Sequence, residues 1–134
     1  MKKILIFASG SGTNAENIIK YFGDRSTGTV VAVFSNNSKA TVLDKAKKLA
    51  VPTVIFSKEE LNSGNTLQKV KDFQPDLIVL AGFLLKFPEN LIEAYPNRII
   101  NIHPALLPKF GGKGMYGMHI HKAVVENKEK ETGI

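Results

Sequence analysis

An asparagine and a histidine two positions apart, Asn101 and His103, close an apolar run of the chain. In an extended segment, side chains at positions i and i+2 point to the same side, so the amide and the imidazole are expected to face one pocket. An amide that does not titrate, beside an imidazole that can carry a proton, suits a reaction through a charged tetrahedral intermediate. Asn-x-His alone is also compatible with a strand that ends in a polar tip. Pro104 and Pro108, which stiffen the following backbone, favour a catalytic site.

A second candidate site is the loop Ser9-Gly10-Ser11-Gly12, which follows the first apolar run and precedes a helical pattern. Glycines let a backbone approach a ligand closely, and the exposed amides at the start of a helix favour an anion. The loop lacks the lysine of a Walker A motif, its glycine spacing is not G-x-G-x-x-G, and no ribose-binding acid follows the second strand. The pattern therefore predicts a site for one terminal phosphate rather than for a dinucleotide. A tight turn without a ligand is the alternative.

A third candidate segment is apolar where a solvated loop is expected to be polar. Phe83, Leu84, Leu85 and Phe87 follow a strongly apolar run. We expect these side chains to wall a slot for a flat heterocycle whose edge is contacted by backbone amides. The alternative is the buried start of a helix.

Short apolar runs alternate with helical patterns along the chain. Strands are predicted over 4–8, 30–34, 53–56, 77–81 and 98–102, and helices over 14–22, 41–49, 66–73, 91–95 and 118–127. The segments 62–65 and 111–114 are predicted to be the most flexible. This alternation indicates an α/β fold, a three-layer Rossmann-like and mostly parallel sheet with helices on both faces. Ligands of such sheets bind beyond the carboxyl ends of the strands, which is where all three candidate segments fall.

The bulk composition excludes several classes of protein. A chain of 134 residues with 43% hydrophobic residues predicts one globular domain. Its net charge of +6 comes from scattered basic residues, which indicates small anionic substrates rather than nucleic acid. The absence of cysteine fits a reducing compartment, and the apolar runs are too short to cross a bilayer. We expect no metal site, because no carboxylate or cysteine cluster accompanies His119 and His121.

Four segments together resemble one known family. They are Gly10-Ser11-Gly12-Thr13-Asn14, Phe34-Ser35-Asn36, Leu80-Ala81-Gly82-Phe83 and the run from Asn101 to Pro108. They are similar to the corresponding segments of the phosphoribosylglycinamide formyltransferases, folate-dependent enzymes of purine synthesis. The resemblance runs from Met1 to Ile134 in one register. It implies the formyltransferase fold and a cytoplasmic enzyme, monomeric or homodimeric, that acts on small molecules.

The resemblance also implies a role for each candidate residue. Gly12, Thr13 and Asn14 hold the phosphate of glycinamide ribonucleotide. The side chains and backbone of Leu84, Leu85 and Phe87 flank the pterin-like ring of 10-formyltetrahydrofolate, which is the formyl donor. Asn101 and His103 act on the formyl carbonyl while the substrate amine attacks its carbon. No metal takes part.

One departure from the family concerns a catalytic aspartate, which members carry on a loop later in the chain. No residue of this sequence matches it, since the sequence ends at Ile134. We therefore expect residues 1–134 to form a single formyltransferase domain that is incomplete at its C-terminus, with terminal strands missing and with doubtful activity on its own. Two alternatives are open: another formyl-folate enzyme, either methionyl-tRNA formyltransferase or formyltetrahydrofolate hydrolase, and a non-catalytic module that binds a nucleotide or folate.

Overall fold

Five strands alternate with helices in the computed structural model, which describes residues 2–23 and 25–102. The strands are β1 (Lys2–Phe7), β2 (Gly28–Ser35), β3 (Thr53–Ile55), β4 (Leu77–Ala81) and β5 (Ile99–Ile102). The helices are α1 (Thr13–Gly23), α2 (Thr41–Lys48), α3 (Lys58–Ser63), α4 (Asn65–Phe73) and α5 (Glu89–Ala94). All five predicted strands are present, with modest shifts of their ends. The helix predicted over 118–127 lies outside the described residues.

The strands form one parallel sheet in the order β3-β2-β1-β4-β5, with β1 in the centre. The chain moves outward from β1 to β3 on one side and then returns to place β4 on the other side of β1. The strand order therefore reverses between β1 and β4, and the crevice beyond the carboxyl ends of these two strands is the expected place for a ligand. A bulge in the β1–β2 pairing, between Ile4 and Leu5, shifts the register by one residue.

Helices cover both faces of the sheet, which confirms the predicted three-layer arrangement. On one face, α1 and α2 bury residues such as Ala15, Ile19 and Val42 against alternate residues of β1 and β4. On the other face, α3, α4 and α5 bury Leu61, Val70 and Leu91. Burial from both sides explains why the strands are continuous apolar runs rather than alternating ones.

The second face is packed around an aromatic cluster centred on Phe7, which is fully buried. Its ring lies 5.0 to 5.6 Å from the rings of Phe34, Phe56, Phe83 and Phe87, measured between centroids. Most of these pairs meet edge to face, the arrangement that aromatic rings prefer in cores. The cluster fixes the start of the loop after β4, because Phe83 and Phe87 belong to that loop.

Residues 62–65, predicted to be among the most flexible, are largely helical in the structure. This segment joins two consecutive helices, α3 and α4, and α3 has no counterpart in the sequence prediction. Ser57 begins α3 with a capping box, in which its hydroxyl accepts from the Glu60 amide and the Glu60 carboxylate accepts from the Ser57 amide. Gly64 ends the helix at a φ of 97°, a conformation that glycine adopts without steric cost. The motif Ser-x-x-Glu is a known helix-start signal that could have predicted α3.

Candidate functional site

The structure brings two of the three candidate segments together around one cavity at the carboxyl edge of the sheet. The cavity has a volume of about 270 Å³ and is lined by residues after β1 and after β4: Gly10, Ser11, Gly12, Thr13, Asn14, Ala81, Gly82 and Leu84. Its position is the crevice where the strand order reverses. Whole small-molecule sites usually occupy about 300–1,000 Å³, so this cavity fits part of a ligand, such as a phosphate with its nearest atoms.

The loop after β1 (residues 8–12) is held against the start of α2. Gly12 has a φ of 72°, and a Cβ at this position would lie 2.1 Å from Val42 Cγ2. The Val42 amide donates to the carbonyl oxygen of Gly10 at 3.1 Å, and the Glu16 amide donates to that of Gly12 at 2.8 Å. Thr13 and Asn14, the first residues of α1, are exposed and line the cavity. The first amides of a helix lack intrahelical partners, so this end of α1 can bind an anion.

Ser9, a residue of the predicted phosphate-binding loop, connects this loop to two others. Its hydroxyl donates to Asn36 Oδ1 at 2.6 Å and accepts from the Leu84 amide at 2.9 Å. Its own amide donates to the carbonyl oxygen of Gly82 at 3.2 Å. Ser9 is 4% exposed. No local sequence signal reveals these contacts, because the partners of the hydroxyl lie 27 and 75 positions away.

The loop after β4 (residues 82–88) differs from its predicted form. Phe87 is 1% exposed, and Phe83 and Leu85 also pack against the core, so the four side chains do not wall one slot together. Only Leu84 is strongly exposed, at 72%, and it lines the cavity. The physical reason is that the Phe7 cluster needs the rings of Phe83 and Phe87 to close it. Phe87 can therefore support a ligand-binding loop from below, while its side chain faces the core.

The third segment begins at the same edge of the sheet. In β5, Asn101 is in register with Leu80 and Ile102 with Ala81, which lines the cavity. Asn101 is half-buried. Asn101 is therefore the second-last residue of β5, close to the carboxyl edge. It lies next to β4, whose last residue lines the cavity. His103 lies outside the described residues.

Asp76, which directly precedes β4, lies at the opposite edge of the sheet. Its carboxylate accepts from the Lys3 amide at 2.8 Å, and its own amide donates to the Lys3 carbonyl oxygen at 2.7 Å. The hydrogen bond from Lys3 and the charges of Lys2 and Arg98 lower the pKa of this carboxyl group. Asp76 joins the starts of β1 and β4 and cannot reach the cavity beyond their other ends.

Residues 2–23 and 25–102 contain no group of three or more His, Cys, Asp or Glu side chains that could hold a metal ion. No helix within these ranges is long and apolar enough to span a membrane.

Comparison with known proteins identifies relatives of this chain. It is 37% identical over 139 residues to the chloroplastic phosphoribosylglycinamide formyltransferase of Arabidopsis thaliana, covering 98% of this chain and 48% of the relative. It is 35% identical over 136 residues to phosphoribosylglycinamide formyltransferase of Escherichia coli K12, covering 97% and 62%. The chain thus spans about half to three fifths of the length of these relatives.

The chain is also similar to a solved structure of an enzyme with the same name. Phosphoribosylglycinamide formyltransferase from Brucella melitensis superposes with a TM-score of 0.76 at 32% identity, covering 93% of this chain and 66% of the other. A model of the family described as formyl transferase matches residues 2–134. Because this match spans nearly the whole sequence, the chain belongs to the formyl transferase family.

Proposed function

We propose that the protein transfers a formyl group from 10-formyltetrahydrofolate to the amine of glycinamide ribonucleotide, a step of purine biosynthesis. The names of the relatives from Arabidopsis thaliana and Escherichia coli support this choice within the family. The four matching segments quoted from the sequence support it independently, since they include the glycine-rich loop and the Asn-x-His motif.

The cavity at the carboxyl edge is the observation that carries the proposal. It combines an anion-binding helix start on one wall with an exposed leucine on the other. A ribonucleotide and a reduced folate differ in a similar way, because one carries a phosphate and the other a heterocyclic ring whose faces can pack against an apolar side chain. Asn101 lies on the strand beside the cavity wall, at the level of Leu80. The two substrates can therefore meet next to the residues proposed to do the chemistry.

This arrangement supports the proposed binding roles. The exposed residues Thr13 and Asn14, with the backbone at Gly12, bind the phosphate through amide and side-chain donors. Leu84 and Leu85 flank the folate ring, partly through their backbone groups. Phe87 keeps that loop in place from the core.

In the proposed reaction, the amine of glycinamide ribonucleotide attacks the formyl carbon and a tetrahedral intermediate with an oxyanion forms. Asn101 donates a hydrogen bond to this oxyanion without titrating, and His103 stabilises it and moves a proton. After the proton shifts from the attacking nitrogen to the folate nitrogen, the carbon–nitrogen bond to folate breaks. The products are the formylated amide and tetrahydrofolate.

The proposal includes the other partners expected from the sequence. The ligands are small molecules, with no nucleic acid, membrane or metal ion, and the protein is a monomer or homodimer in the cytoplasm. 10-Formyltetrahydrofolate acts as the formyl-donor cosubstrate.

Substitution of the Asn-x-His pair tests the proposed function. In the intact protein, we expect Asn101→Ala to lower kcat/KM for formyl transfer by about 10²–10³-fold, the usual effect of losing one oxyanion donor. We expect His103→Ala to lower it by about 10²–10⁴-fold, the range for a general acid or base. Binding of glycinamide ribonucleotide stays nearly unchanged in both variants. Asn17→Ala, at an exposed position of α1, is the control. Near-normal turnover by either variant of the pair would contradict its assignment.

A further inference from the structure

Ser9 is a buried polar residue of the loop after β1, and its hydroxyl contacts two other loops at the carboxyl edge. We propose that Ser9 is a positioning residue that fixes the place of the folate-binding loop relative to the phosphate-binding loop. This assignment rests on the proposed function, because it concerns how the two substrates of that reaction meet.

The hydrogen bonds of Ser9 span the cavity. Ser9 precedes Gly10, which lines the phosphate side, and its hydroxyl accepts from the amide of Leu84, which lines the folate side. The backbone of Ser9 adds a second link across the same gap, from its amide to the Gly82 carbonyl oxygen. One residue therefore joins the two walls of the cavity directly, without an intervening side chain.

The same hydroxyl also fixes the loop after β2 (residues 36–40). Because a hydroxyl donates one hydrogen bond and accepts others, Ser9 can donate to Asn36 Oδ1 while it accepts from Leu84. Because Ser9 is 4% exposed, water has little access to replace either partner of its hydroxyl. Loss of these hydrogen bonds is therefore costly. Alanine removes both contacts, and cysteine keeps the approximate shape but is a weak donor and acceptor.

A change in the relation between the two loops affects rate more than affinity. Each loop keeps its own contacts with its own substrate, so the two KM values depend little on the link. The amine and the formyl carbon must nevertheless approach in a defined geometry, and a small misplacement of reacting atoms costs a large factor in rate. We therefore expect loss of the Ser9 hydroxyl to lower kcat.

A neighbouring serine provides a matched control. Ser35, at the end of β2, is buried like Ser9. Its hydroxyl contacts only Asn37 among the hydrogen bonds that the described residues show, at 3.3 Å to the carbonyl oxygen and 3.2 Å from the amide. Ser35→Ala removes a buried hydroxyl from the same edge of the sheet without removing a link between the cavity walls.

The test compares steady-state kinetics of the intact protein and its Ser9→Ala, Ser9→Cys and Ser35→Ala variants, with thermal unfolding measured in parallel. We expect both Ser9 variants to lower kcat by about tenfold or more with KM for either substrate changed less than about twofold. We expect Ser35→Ala to lower Tm comparably while kcat stays within about twofold. If Ser9→Ala is unfolded at the assay temperature, Ser9→Cys carries the comparison.

Two results would overturn the assignment of Ser9. One is an equal loss of kcat in the Ser9 and Ser35 variants, which would show a purely structural effect. The other is a rise of both KM values at unchanged kcat. Absence of formyl transfer by the unsubstituted protein would instead overturn the proposed function, and the assignment of Ser9 with it.

Discussion

At the scale of single residues, Gly12 has two independent reasons to be glycine. Its backbone has a φ of 72°, which residues other than glycine rarely adopt. A Cβ there would also lie 2.1 Å from Val42 Cγ2 and 3.0 Å from the Val42 Cα. The steric conflict involves backbone as well as side chain, so rotation of Val42 alone cannot remove it. Gly12 thus allows α2 to approach the loop that lines the cavity.

We expect Gly12→Ala to reduce the free energy of unfolding by about 2–4 kcal/mol, the sum of a backbone cost and an overpacking cost. Gly64→Ala is the matched control, because Gly64 has a φ of 97° but open space where the Cβ would lie. It should lose only about 1 kcal/mol, the backbone cost. Urea unfolding of the two variants measures the difference, and equal losses would show that contact with Val42 does not constrain the loop.

At the scale of elements, α3 depends on its first turn. It has six residues, too few for a stable helix without capping and tertiary contacts. The Ser57–Glu60 capping box supplies two hydrogen bonds, at 2.8 and 3.1 Å, and the backbone amide of Ser57 is the main cause of the lowered pKa of Glu60. The buried side chain of Leu61 then attaches the helix to the core.

We expect Ser57→Ala to lower the free energy of unfolding by about 1 kcal/mol, the usual cost of losing a helix cap. Ser38→Ala, in an exposed turn, should change it by less than about 0.5 kcal/mol. Chemical denaturation of both variants is the measurement. A Ser57→Ala protein as stable as Ser38→Ala would mean that tertiary packing alone holds α3.

The elements show what local sequence could and could not predict. The strands were predictable because burial on both faces produces continuous apolar runs, as in β4. The cavity position was predictable because glycine-rich and apolar segments followed β1 and β4. The burial of Phe87 and the links made by Ser9 were not, since both depend on contacts between distant parts of the chain. The role of His103 stays a prediction.

At the scale of the whole molecule, the carboxyl edge of the sheet is the proposed binding edge, and the amino edge contributes to stability. The carboxyl edge carries the cavity between the loops after β1 and β4. At the amino edge, Asp76 lines a separate cavity of about 420 Å³ and joins the starts of β1 and β4 through reciprocal hydrogen bonds with Lys3. The pKa of Asp76 is lowered from 3.8 first by the Lys3 amide and then by Lys2, Arg98 and Lys3 charges. A lowered pKa in the folded state means that the ionised group stabilises the fold.

This stabilisation has a defined pH dependence. It is complete above the unfolded-state pKa and is lost as the pH falls through the lower folded-state value. We expect Asp76→Asn to destabilise the protein near pH 7 and to flatten the decline in its urea midpoint between about pH 5 and pH 3. Asp72→Asn, which removes the same charge from an exposed position on α4, should keep the unsubstituted profile. Identical profiles for both variants would contradict the role of Asp76.

The central claim is that the start of α1 and its preceding loop bind the phosphate of glycinamide ribonucleotide. Calorimetric titration of the 134-residue chain with this ribonucleotide and with its unphosphorylated riboside tests the claim most directly. We predict saturable binding of the ribonucleotide and a Kd for the riboside that is higher by about tenfold or more. The reason is that charge-assisted hydrogen bonds to phosphate are each worth about 1.5–3 kcal/mol. Equal affinity for the two compounds, or no binding of either, would contradict it.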